Sequence, residues 1–174
     1  MCLKLNKLEA AYRQLNTAIR LYFMDEDLIS VHTLAGASHI ILHDLVEDKH
    51  PGKSWEKVAA EDNKIDLNEF LRITRRAQNY LKHAKQDPNS VLTLNKTDTE
   101  HLLYLNTLNL CALIDKSETL SNEVSVFQSW FTYVYRYQDI EPCLAKCFKD
   151  LNDAPKDKQI KLGYQILKEL NNNA

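Results

Sequence analysis

Arg76, Asn79 and His83 follow one another at intervals of three and four residues, and on a helix turning about 100° per residue that spacing places them on one stripe. Arg72 joins them: with Arg76 at zero, Arg72 falls near ~320°, Asn79 near ~300° and His83 near ~340°. These residue types suit acid–base chemistry on a phosphodiester. An imidazole exchanges a proton near neutral pH, and a guanidinium grips two phosphate oxygens at once. Half of the chain's arginines, Arg72, Arg75 and Arg76, are gathered here with Lys82 and Lys85, against only Asp66 and Glu69 at the start of the segment. The expectation is a site in which Arg76, Asn79 and His83 carry the chemistry, while Arg72, Lys82 and Asp87 contribute to binding.

A second constellation lies upstream. With His32 at zero, His39 falls near ~340° and His43 near ~20°, so three imidazoles line one edge of an otherwise apolar segment. His39 and His43, one turn apart, have the spacing of two ligands to one transition metal, and Asp44 or His83 would have to complete the set. No Glu-x-x-His or His-Glu-x-x-His motif accompanies them. The expected role is therefore buried or interfacial histidines, with a metal site at His32, His39 and His43 as the lesser alternative and no cofactor.

The arginine and histidine of the first stripe, Arg76 and His83, resemble the Arg-x(4–6)-His motif of HEPN-type domains. The resemblance implies a helical bundle acting as a homodimer in metal-independent RNA cleavage. In the commonest form of that motif a polar residue directly follows the arginine; here Ala77 follows, and Asn79 is the available substitute. A longer resemblance covers roughly residues 8–135. Ala18-Ile19-Arg20-Leu21, His32-Thr33-Leu34-Ala35, Asp44-Leu45, Asn79-Tyr80-Leu81-Lys82-His83-Ala84, Asp87-Pro88 and Phe127-Gln128-Ser129-Trp130 are similar to a family of small bacterial helical proteins without an assigned activity. Its Lys-His-Ala-x-x-Asp-Pro segment, Lys82 to Pro88 here, is the most specific part. It implies a bacterial cytosolic protein and directs attention to His83, His32 and Asp44.

The elements that must position these residues follow from apolar spacing. Leu5, Leu8, Tyr12, Leu15, Ile19 and Tyr22 recur every three or four residues and predict a helix over 3–24. Apolar residues from Leu28 to Val46 cover most of a helix circumference, so 27–47 is expected to be central. Ser54 to Ala60 predicts one or two turns carrying Trp55. Asp66 with Glu69 opens a helix over 66–85, whose core side would hold Phe70, Ile73, Ala77, Tyr80, Leu81 and Ala84. Asp87-Pro88 stops it. Further helices are expected over 98–116 and 121–138, from Glu141-Pro142, and from Pro155. Phe127, Trp130, Phe131 and Val134 share a face and predict core, while Tyr133 and Tyr137 lie beyond its edge, where an interface would use them.

Composition bounds the rest. The chain has 174 residues with three Gly and four Pro, too few turn-formers for a many-stranded sandwich or barrel. The expectation is one all-α domain, a helical bundle of five to seven helices spanning 1–174 with sequence neighbours antiparallel. Twenty-two basic against 24 acidic side chains leave a net charge of −2. No broad field then draws nucleic acid or membrane, and nothing signals DNA in particular. Cys2, Cys111, Cys143 and Cys147 form no CxxC pair and read as reduced thiols; with no continuous apolar run at Met1 to Leu8, the expected location is cytoplasmic. Glycine-rich phosphate loops and nucleophile elbows are absent. Three function classes remain: an RNA-cleaving or RNA-binding domain, a non-catalytic interaction module with surplus apolar surface for homo-oligomerisation, and the histidine metal bundle.

Overall fold

The computed structural model describes residues 2–83, 85, 88–115, 117–135, 147–148 and 154–172. Ala84, Asp87, Tyr137, Cys143 and the helix expected from Glu141-Pro142 lie outside them. Among the described residues there are eight α-helices and no strand: α1 Lys7–Phe23, α2 Leu28–Lys49, α3 Trp55–Asp62, α4 Leu67–Thr74, α5 Arg76–Lys82, α6 Lys96–Leu113, α7 Asn122–Val134 and α8 Lys156–Asn172. None of these is long and apolar enough to cross a membrane.

The helix starts are chemical. Asn6 Oδ1 accepts from Glu9 N at 2.8 Å while Glu9 Oε2 accepts from Asn6 N at 3.0 Å, a reciprocal cap that begins α1 at Lys7 rather than near residue 3. Asp27 caps α2 through Ser30 N at 2.8 Å, and Asp66 caps α4 through Asn68 N at 2.9 Å. Asp98 accepts from Asn95 N at 3.2 Å, so α6 opens two residues before the expected 98.

α2 and α6 run side by side and parallel. His32 Nδ1 meets Thr99 Oγ1 at 3.0 Å, His39 Nδ1 meets Asn106 Oδ1 at 3.0 Å, and Lys49 Nζ donates to Leu113 O at 3.0 Å, the numbers rising together along both helices. The aromatic core lies where α1, α6 and α7 meet, Tyr104 of α6 stacking on Phe131 of α7 with centroids 4.1 Å apart. Trp130, Phe127 and Phe131 of α7 are fully buried with Tyr22 and Phe23 of α1, and the Phe23 and Trp130 rings meet at right angles with centroids 5.8 Å apart. The expected core face of α7 is thus buried, with Val134 and Tyr133 half-buried at its margin. α8 closes over this core through Ile160, Gly163 and Leu167.

The helix expected over 66–85 is two helices. Thr74 Oγ1 donates back to the carbonyls of Phe70, at 3.1 Å, and Leu71, at 3.2 Å, a pattern that bends helices by competing for the ladder acceptors. Arg75 follows at φ −90° and ψ −1°, with the chain resuming as α5. The bend redistributes the expected apolar face. α4 buries no residue, and Ile73 is 53% exposed. α5 instead drives Ala77 and Gln78 inward against α2, where Gly36 provides the room: a Cβ there would lie 2.2 Å from the end of the Gln78 amide.

Candidate functional site

The first stripe survives in part. Arg72, Arg76 and Asn79 line one small cavity of about 340 Å³ with Tyr80 and the extended segment Ser90 to Leu92. Tyr80 Oη donates to Ser90 O at 3.1 Å, and Arg76 Nη2 donates to Thr93 O at 3.3 Å, fastening that segment to α5. Arg72 is spoken for: its Nε and Nη2 donate to both carboxylate oxygens of Glu69 at 2.8 and 2.7 Å. This pair holds the Glu69 carboxyl below its ordinary range. His83 is exposed at the end of α5, its backbone N–H donating to Asn79 O at 3.1 Å, and it lines neither this cavity nor the larger cleft between α3 and α6. Lys82 turns toward its own helix; with the Gln78 amide oxygen facing Ala37 N at 3.3 Å, that oxygen also accepts from Lys82 Nζ at 2.7 Å. Asp87 lies outside the described residues.

The larger opening is a cleft of about 750 Å³ between α3, α4, α5 and α6. Its floor is a single stripe of α6, Asp98, His101, Leu102, Leu105 and Leu108. At a rise of about 1.5 Å per residue it runs some 15 Å along that helix. The two ends differ in chemistry. Asn109 Oδ1 accepts from Trp55 N at 3.0 Å, which fixes the start of α3 near the C-terminal part of α6; there Trp55, Val58 and Ala59 face Leu105 and Leu108. At the α6 N-terminus the lining is Arg76, Thr93, Asp98, His101 and His32. Phe70, Ile73 and Ala77 form the opposing wall; Phe70 and Ile73, expected to face a core, instead face this cleft, while Ala77 is buried as expected.

His32 is 2% exposed. Its Nδ1 is engaged by Thr99, while its Nε2 is buried without a hydrogen-bond partner. Burial lowers its pKa, and nearby Asp98 only partly opposes that, so the ring is held toward the neutral form.

Behind the α3 wall lies a buried polar node. Glu56, fully buried, receives Nδ1 of His39 at 3.1 Å, Nδ1 of His43 at 3.1 Å, and Asn109 Nδ2 at 2.8 and 2.9 Å on its two oxygens. Asn106 Nδ2 donates to Ala35 O at 2.8 Å, which leaves its oxygen to accept from His39. Both partners of His39 Nδ1 are thus acceptors, so that nitrogen carries the proton. Burial alone would raise the Glu56 carboxyl; the His43 hydrogen bond, the nearness of His39 and the Asn109 amide overcome it and hold it below the usual carboxylate value. Burial lowers His39, which Glu56 only partly opposes. The histidines weighed as ligands of one ion therefore share one carboxylate through Nδ1, and His32 faces a different partner. Among the described residues no group of three or more His, Cys, Asp or Glu side chains is arranged to hold a metal ion.

The sequence reading passed over Glu56, Asn106 and Asn109. A signal was present: two asparagines three residues apart within the apolar run of α6 require buried partners. Fold and site together define a helical domain with one end-differentiated apolar cleft braced by an internal carboxylate. Compared with family models, characterised proteins and solved structures, the chain matches none.

Proposed function

We propose that the protein is a binding domain that takes a small, elongated, largely apolar molecule in the cleft between α3 and α6. One observation carries this reading: a 750 Å³ concavity walled by Trp55, Val58, Phe70, Ile73, Leu105 and Leu108, in the size range of about 300–1,000 Å³ typical of small-molecule sites. α4 has no buried residue, yet presents its apolar side to this space. Such a wall gains solvent exclusion when the space is filled. The test uses anilinonaphthalene sulfonate, whose emission rises in apolar surroundings. Wild-type protein is expected to enhance it and a Leu105→Gln variant of equal melting temperature to lose most of the enhancement. Equal enhancement by both would place the dye elsewhere and sink the reading.

A second reading, RNA binding with cleavage, is favoured by Arg72, Arg76 and Asn79 lining one cavity, with His83 outside it at the end of the helix that carries Arg76 and Asn79. In it His83 moves the proton and Arg76 meets the phosphate. Labelled single-stranded RNA incubated with wild-type and His83→Ala protein tests it, with a loss of about 10²–10⁴-fold expected on removing the proton carrier. RNA left whole by both proteins excludes cleavage.

A further inference from the structure

Resting on the cleft reading above, we infer that the ligand is an apolar monocarboxylic acid, its carboxylate held between Arg76 and His32 and its tail lying along α6 toward Trp55. The cleft has a polar end and an apolar end, and the polar end is short of partners. Arg76 spends one N–H on Thr93 O and has no carboxylate partner among the described residues. His32 Nε2 is buried without a partner beside an apolar floor. Leaving such a group unmatched costs about 1–3 kcal/mol, so the position favours a ligand atom that completes it.

One tautomer of His32 suits an acceptor: with the Thr99 hydroxyl donating to Nδ1, the neutral ring carries its hydrogen on the unpartnered Nε2 and offers a donor there.

The local charge disfavours a second negative charge on the ligand, since Asp62 and Asp98 both line the cleft with Arg76. Arg72 is already neutralised by Glu69, and Asp98 offsets part of the field of Arg76. A phosphate monoester dianion would bring its second charge against Asp98; a carboxylate does not. At the far end Trp55, 37% exposed, is placed to report the tail, while Trp130 is fully buried in the core.

The experiment titrates the full chain with decanoate and, separately, decanol, both below their aggregation limits, following Trp55 emission with Trp55→Phe as the blank. Decanoate is expected to bind about tenfold more tightly than decanol, the worth of a hydrogen-bonded charge. Arg76→Gln should remove that preference by weakening decanoate alone. Thr99→Val provides the second variant: without its hydroxyl the proton has no reason to stay on Nε2, so decanoate should weaken while decanol does not. Equal affinity for acid and alcohol in the wild type, or an unchanged ratio in Arg76→Gln, would overturn the carboxylate assignment and leave the cleft reading standing. Failure of both molecules to move Trp55 emission would overturn the cleft reading itself.

Discussion

Asn109 and Glu56 are joined twice, Asn109 Nδ2 donating to both carboxylate oxygens at 2.8 and 2.9 Å, while the Asn109 oxygen accepts from the backbone of Trp55 at 3.0 Å. One amide thereby fastens both the first peptide and the first carboxylate of α3 to α6. Ser54, the residue before that helix, makes no side-chain cap bond. The short α3 therefore depends on tertiary ties rather than on its own capping, and it forms the apolar end of the cleft.

Replacing Glu56 by Ala should consequently cost about 3–5 kcal/mol, because it strands the Nδ1 donor of His43 and the Asn109 amide in a dry interior and leaves His39 with Asn106 alone. Glu56→Gln should cost less, since an amide oxygen still accepts. Denaturant unfolding measures the first effect. Hydrogen exchange should place the loosening at residues 55–62 before the rest of the bundle; uniform exchange across all helices would show that α3 is not held separately by this node.

Stability should fall on mild acidification. His32 and His39 have folded-state values lowered by burial, so the unfolded chain takes up protons first. Their contribution is complete above the unfolded histidine value, about 6.5, and drains away as pH falls toward the folded values. Glu56, also lowered, adds a loss at lower pH, below the unfolded glutamate value of about 4.3. Urea midpoints should thus be flat from about pH 8 to 7 and decline from about 6.5 downward. His39→Gln should flatten the upper part of that decline; an unchanged slope would mean that His39 is not the group taking up the proton.

Much of this architecture is legible in the sequence because apolar spacing encodes burial directly. Leu15, Ile19 and Tyr22, or Phe127, Trp130 and Phe131, recur at helical intervals and are buried. The break at Arg75 is not legible, because Thr74 has an ordinary place in a helical pattern until its hydroxyl takes the Phe70 carbonyl. With it went the rotation that turned Ile73 and Phe70 from core to cleft. Spacing did gather Arg72, Arg76 and Asn79, and the three-residue separation of Glu69 and Arg72 was itself a sign of their ion pair. The Glu56 node needed three elements far apart in the chain, and periodicity within one helix carries no information about such pairings.

Gly36 makes the approach of α5 to α2 possible. An added Cβ would lie 2.2 Å from the end of the Gln78 amide and 2.5 Å from its Cδ, and Gln78 is 1% exposed, so its amide has no open space to enter. Gly36→Ala should cost about 1–3 kcal/mol through overpacking, exceeding the gain of alanine over glycine in a helix, about 1 kcal/mol. Pairing it with Gln78→Ala should recover stability if this contact is the cause; a double variant no more stable than the single one would locate the clash elsewhere.

Glu100 is another fully buried carboxylate, and it anchors α8. It accepts from Tyr22 Oη, from Tyr135 Oη and from Lys156 Nζ at 2.6 Å, and the ammonium also lies 4.8 Å from the Trp130 ring centroid. Lys156→Met would leave this carboxylate without its cation, a change expected to cost about 3–5 kcal/mol, whereas adding Glu100→Gln should return much of the loss. The Tyr22 phenol is pushed far above its ordinary value, first by burial and then by the charge of Glu100. An alkaline titration followed by phenolate absorbance should therefore stop short of the chain's eight tyrosines until the protein unfolds. Tyr22→Phe should leave the amplitude before unfolding unchanged and reduce only the final one. Loss of amplitude before unfolding in that variant would show Tyr22 titrating in the native state, and the phenol–carboxylate bond would then not be what holds α1 to α6.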